Sequence, residues 1–150
     1  MNIVKWLVLI SLLMFSLTVK CAAQEEETTL FDSNGNPVAY IALESDEPTI
    51  YMWSGKPVAY LESSPSGGFS IYGFNGKHLG WFVKGIARDH DGNGACGVHD
   101  VANSPKPEPF KAFKEFKPFK EFKEFEPFRP TFTLKWSSTP CGVFLFEGAK

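Results

Sequence analysis

Ile50-Tyr-Met-Trp-Ser-Gly55-Lys-Pro-Val-Ala-Tyr-Leu61 decides the fold, because the chain writes it more than once. Leu30-Phe-Asp-Ser-Asn-Gly35-Asn-Pro-Val-Ala-Tyr-Ile41 precedes it, and Ile71-Tyr-Gly-Phe-Asn-Gly76-Lys-His-Leu-Gly-Trp-Phe82 follows it. A fourth, eroded copy centres on Gly92 and ends at Val98. Self-similarity in phase means one supersecondary unit used repeatedly. Each copy has an apolar or aromatic strand, a polar residue before glycine, and a second strand immediately afterwards. Glycine supplies the positive φ that a tight hairpin turn demands, and asparagine tolerates it. Pro37 and Pro57 stand at the first residue of the second strand, where a strand accepts proline. Polar links at 42–49 and 62–70, with Pro48, Pro65 and Gly67-Gly68, separate the hairpins.

Aligning the copies on the turn glycine exposes equivalent positions. Four residues on stand Ala39, Ala59, Gly80 and Cys96, all small; two further stand Ile41, Leu61, Phe82 and Val98, all apolar. The period-two alternation of a strand puts both sets on one face. Four hairpins around a pseudo-fourfold axis explain the pattern, with small residues crowding the axis and larger ones filling the space beyond. A lone hairpin is marginal in water, so neighbours must supply the core. The Asn-Gly-x-Pro-Val-Ala-Tyr run from Asn34, the Ile-Tyr-x-Trp-x-Gly-Lys run from Ile50 and Gly76-Lys-His-Leu-Gly-Trp-Phe82 resemble the fourfold beta-flower domain family of small bacterial exported proteins. The resemblance covers residues 29–100, and Trp136-Ser-Ser138 resembles the late Trp-Ser-Ser of such proteins. It implies an all-β fold of four hairpins and carries over no activity and no catalytic residue.

The N-terminus has the order of an export signal: Lys5 in a short basic start, an uncharged apolar run from Trp6 to Val19, and small residues to Ala23. Cleavage after Ala23 makes residues 1–23 a signal peptide and places the protein in the periplasm, the cell envelope or the medium. The apolar run is short for a spanning helix, which needs roughly 20 residues. The alternatives are a lipid anchor on Cys21, disfavoured by Lys20 before it, and an uncleaved signal anchor. Residues 24–104 carry only Lys56, Lys77, Lys84 and Arg88 against 11 acids, whereas residues 105–150 carry nine bases against six acids. A basic tail is thus expected to be attracted to an acidic body. An acidic body also argues against nucleic acid, which calls for a basic face on the folded domain. Cys96 and Cys141 remain after cleavage; in an oxidising compartment a disulfide is allowed, the other reading being two buried thiols.

The tail has its own period. Phe110, Phe113, Phe116, Phe119, Phe122, Phe125 and Phe128 recur every third residue, and Lys111, Lys114, Lys117, Lys120 and Lys123 follow in register. An α-helix would let such a set drift and a strand would alternate it, whereas a polyproline II helix, with three residues per turn, keeps it in line, and Pro105, Pro107, Pro109, Pro118, Pro127 and Pro130 favour it. Residues 101–130 therefore read as an extended Phe/Pro/Lys-rich tail of low complexity. Burying one phenylalanine is worth about 1.5–3 kcal/mol, so the stripe is expected to lie on something. Three readings stay open: a linker with transient contacts, docking on the chain's own domain, and attachment to a protein or envelope component. Strand-like runs at Thr131 to Trp136 and Val143 to Phe146 suggest that residues 131–150 pack back on the domain.

Chemistry is sparse. Asp89, Asp91, Asn93 and Asp100 have the offsets of calcium ligands in an EF-hand loop. The glutamate usual at the last position is an aspartate, helical flanks are missing, and the stretch overlaps the fourth turn, so an acidic turn is the simpler reading. His78, His90 and His99 with Cys96 fit no zinc spacing. Glu44, Asp46 and Glu47 read as solvated link residues. Tyr40, Trp53, Tyr60 and Trp81 offer either an aromatic platform for a glycan or packing between hairpins. Nucleophile-elbow, phosphate-loop and zinc-protease motifs are missing, and no cofactor is implied. The sequence thus points to a non-enzymatic structural or interaction module of the cell envelope, the alternative being a ligand-binding module for glycan or calcium.

Overall fold

The computed structural model describes residues 26–44 and 47–150; the expected signal peptide, with Cys21 and Ala23, lies outside the described residues. Eight strands run in chain order: β1 (Glu27–Phe31), β2 (Pro37–Leu43), β3 (Pro48–Met52), β4 (Pro57–Ser63), β5 (Phe69–Gly73), β6 (His78–Val83), β7 (Ile86–Arg88) and β8 (Gly94–Gly97). Each pairs antiparallel with the next, and β8 returns to β1 through the single pair Phe31 and Gly97, closing the barrel. The four hairpins are β1–β2, β3–β4, β5–β6 and β7–β8, and each has a register shift at the same place, after Leu30, Ile50, Ile71 and Ala87. A bulge there bends each hairpin identically and strengthens its twist, which is how a sheet of short strands curls closed.

The interior repeats one cross-strand pair four times. Leu30 faces Ala39, Ile50 faces Ala59, Ile71 faces Gly80 and Ala87 faces Cys96, all of them fully buried. In the first three pairs a large residue against a small one fills a narrow barrel without overpacking, while the fourth sets two small residues together, one of them the disulfide-bonded Cys96. At Gly80 backbone is the obstacle: a Cβ would stand 1.9 Å from the Arg88 carbonyl oxygen on β7.

One end of the barrel is stoppered. Val38, Val58, Leu79 and Ala95, each three residues after a turn glycine, form one cluster with Cys141, Phe144 and Leu145. These last three belong to a short helix, α1 (Cys141–Phe146), whose i, i+3, i+4 positions face the barrel while Val143 and Phe146 face water. The strand expected over Val143 to Phe146 is therefore a helix. Uninterrupted apolar residues carry no period-two signal, and the wider spacing from Cys141 governs. Thr131 to Trp136 forms no strand either, only a single parallel bridge between Trp136 and Gly94. Cys96 and Cys141 are joined in a disulfide that ties the stopper to β8 across 45 residues.

Candidate interaction surface

From the fourth hairpin the chain turns back and winds around the barrel it has just built. Tail N–H groups donate to turn-glycine carbonyls in order: Lys106 to Gly35 (2.8 Å), Glu115 to Gly55 (2.9 Å), Glu124 to Gly76 (2.8 Å) and Thr133 to Gly92 (3.0 Å). The step is nine residues each time, three of the tail's three-residue sequence periods, so equivalent tail positions meet each hairpin. Ala112 to the Trp53 carbonyl (3.2 Å) and Glu121 to the Phe74 carbonyl (2.8 Å) repeat the step. The turn glycines serve this contact as well as the turn. A Cβ on Gly35, Gly55, Gly76 or Gly92 would lie 2.3, 1.9, 2.2 or 2.6 Å from the carbonyl oxygen of Ser104, Phe113, Phe122 or Thr131, again nine residues apart. The sequence carries this period in Pro109-Phe-Lys111, Pro118-Phe-Lys120 and Pro127-Phe-Arg129, a signal that the three-residue pattern conceals.

The lysine row faces the barrel. Lys111 reaches Glu27 at 2.7 Å, Lys114 reaches Glu27 at 3.1 Å, Lys117 reaches Glu44 at 2.6 Å, Lys120 reaches Glu47 at 2.5 Å, and Lys123 pairs with Glu62. The carboxylates of the link after β2, expected to be solvated, thus receive the tail; Asp46 lies outside the described residues. The ammonium groups also sit over aromatic rings: Lys111 over Tyr40 (4.6 Å) and Trp53 (5.1 Å), Lys120 over Tyr60 (3.9 Å), and Lys123 over Tyr72 (5.1 Å). Burial alone would raise the Glu27 carboxyl, but hydrogen bonds from Lys111 and Lys114 outweigh it and hold the group below its ordinary value. Burial, with the charges of Glu62 and Glu47, pushes the Tyr60 phenol up to about 12. In the third quarter Glu126 takes the lysine's place, accepting from Trp81 Nε1 (2.9 Å) and Ser64 Oγ (2.6 Å).

The phenylalanine row faces away. Phe110, Phe113, Phe116, Phe119, Phe122, Phe125 and Phe128 are each 92–103% exposed. Of the three readings open for the tail, docking on the chain's own domain is the one seen. It runs through the lysines and the backbone, as the charge asymmetry suggests, while the rings, expected to lie on something, form an exposed ridge.

The other candidates resolve differently. Tyr40, Tyr60 and Trp81 are at most 1% exposed: Tyr40 and Tyr60 stack on Tyr51 and Tyr72, Trp81 meets His78 and His90 edge-on, and all three are covered by the tail, so with half-buried Trp53 they are packing and offer no open platform. Asp89 Oδ1 accepts the N–H groups of Asp91 (3.0 Å) and Asn93 (2.9 Å), as Asp32 Oδ1 accepts those of Asn34 and Asn36 in the first hairpin. Asn93 Oδ1 takes the Thr133 hydroxyl at 2.7 Å, and the Asp100 side chain is 95% exposed beside His99. Asp89 and Asn93 of the calcium candidate are thus engaged in an Asx turn that repeats the first hairpin's and in a tail contact, in keeping with the simpler acidic-turn reading. His78 Nδ1 lies 2.9 Å from His90 Nε2, while His99 packs against Phe31 and Cys96 is in the disulfide. Among the described residues no three His, Cys, Asp or Glu gather as metal ligands. Burial, then the charge of His90, pushes His78 down to about 4.

No curated protein and no solved structure matches the chain. A family model described as 4-fold beta flower protein matches residues 28–145, through the wound tail and α1 almost to its end. With four bulged hairpins closed around one axis, the chain belongs to the 4-fold beta flower protein family.

Proposed function

We propose that the protein is a non-enzymatic interaction module of the cell envelope, exported by its N-terminal segment, in which the barrel is a spool and the wound tail presents the phenylalanine ridge as the binding surface. One observation carries the reading: every ring of the row is fully in water while every lysine between the rings is drawn into an ion pair with the barrel. A soluble monomer seldom exposes an apolar patch above about 300–600 Å², and seven rings at about 150–250 Å² each exceed that. The cross-linked cysteine pair supports an oxidising compartment. The glycan and calcium alternatives lose support from the covered aromatics and the engaged Asp89 and Asn93.

Removing residues 105–150 would also remove the stopper and Cys141, so substitution on the ridge is the sound test. Replacing Phe116, Phe119 and Phe122 together by serine leaves the barrel contacts untouched, and stability is expected to change by no more than about 0.5 kcal/mol per site. The full-length variant is expected to move from the envelope fraction to the soluble fraction. Unchanged retention would sink the proposal.

A further inference from the structure

We infer that the occupant of the ridge is the ridge of a second copy of this chain, the rings of one copy entering the gaps of the other; this rests on the ridge being the interaction surface. Spacing is the first ground. Three residues of a polyproline II helix rise about 9 Å, so a ring from a facing row seated midway is about 4.7 Å from each neighbour, within the 4.5–7 Å at which aromatic pairs attract. A wider partner group would not enter such gaps, and a smooth surface would leave the ring flanks wet.

Charge is the second ground. The cations that alternate with the rings are neutralised by Glu27, Glu44, Glu47 and Glu62 of their own barrel, so two ridges meet without facing rows of free ammonium groups. The same withdrawal removes the cations that would draw the ridge to anionic lipid headgroups.

Area and curvature set the scale. Phe110 to Phe128 spans two nine-residue steps, half the circuit of the barrel, so two convex ridges touch over roughly one step. Three or four rings at about 200 Å² bury about 600–800 Å² per copy, close to the ~800 Å² per partner of a standard interface. Rings left over on the flanks stay available to further copies, so association continues past the dimer into an open assembly.

Sedimentation velocity of the full mature chain across a concentration series tests the inference, beside Phe116→Ser/Phe119→Ser/Phe122→Ser and in low and high salt. The expected result is a weight-average mass that rises past twice the monomer, undiminished by salt, with the midpoint moved at least about tenfold higher in the variant. A wild-type chain that stays monomeric overturns the inference, as does a variant that associates equally well. So does a monomer that binds phosphatidylcholine vesicles through the same three rings without self-associating. If the wild type is monomeric but the variant still leaves the envelope fraction, the self-pairing alone fails. If the variant is retained there too, the broader reading fails with it.

Discussion

At Gly55 two demands meet on one residue. Its φ of +87° disfavours any side chain, and the Phe113 carbonyl oxygen occupies the place of a Cβ at 1.9 Å. Gly67 has nearly the same φ, +89°, with nothing within 4 Å, and so isolates the conformational cost. Gly67→Ala is expected to cost about 1 kcal/mol, and Gly55→Ala visibly more, with loss of tail docking, in chemical denaturation and lysine-acylation assays. Equal costs would mean that the tail does not rest on the turns. His78 makes a second prediction. Its folded value of about 4 lies below the ordinary 6.5, so the unfolded chain binds the proton first. Its contribution is therefore complete above about pH 6.5 and shrinks as pH falls towards 4, by up to about 3 kcal/mol. His78→Gln is expected to flatten the stability profile across that window, measured by urea titration at successive pH values.

At the scale of the element, the tail illustrates what was legible in the sequence. Phe110 to Phe128 announced a three-residue period and an extended chain. The choice of which row faces the barrel was not legible, because burial of rings is the stronger general expectation. It was overruled by four barrel carboxylates and by Tyr40, Tyr60 and Tyr72, whose distribution around a closed barrel is a tertiary fact. The nine-residue register was present in Pro109, Pro118 and Pro127 but gains meaning only when the turn glycines stand on a ring. An alanine inserted between Lys117 and Pro118 shifts both the facial and the nine-residue period for all that follows. It is expected to release the tail from Gly76 and Gly92, seen as faster amide exchange at Glu124 and Thr133. Exchange unchanged from wild type would show that the register is not what holds the tail. Cys141→Ser opens the 45-residue loop that anchors the stopper and is expected to cost about 4 kcal/mol in thermal or chemical unfolding.

For the whole molecule, the turn glycines with Ala39, Ala59, Gly80 and Cys96 were enough to place four hairpins around one axis, because those positions answer to geometry inside each repeat. What lay beyond them was the second use of the same symmetry, in which the barrel's four tips become four equivalent seats for one returning segment. The ion pairs of that seating depend on ionised carboxylates. Glu27 is held below its ordinary value, so its contribution is present above the unfolded carboxylate range near pH 4.5 and is lost as pH falls through the lower folded value. The central claim is that the lysines face in and the phenylalanines face out, and one footprinting measurement reads both. At a concentration dilute enough to keep the chain monomeric, hydroxyl radicals are expected to oxidise all seven rings from Phe110 to Phe128 at the rate of an unfolded peptide, while Lys111, Lys114 and Lys117 resist acylation. Protected rings beside freely acylated lysines would contradict the account.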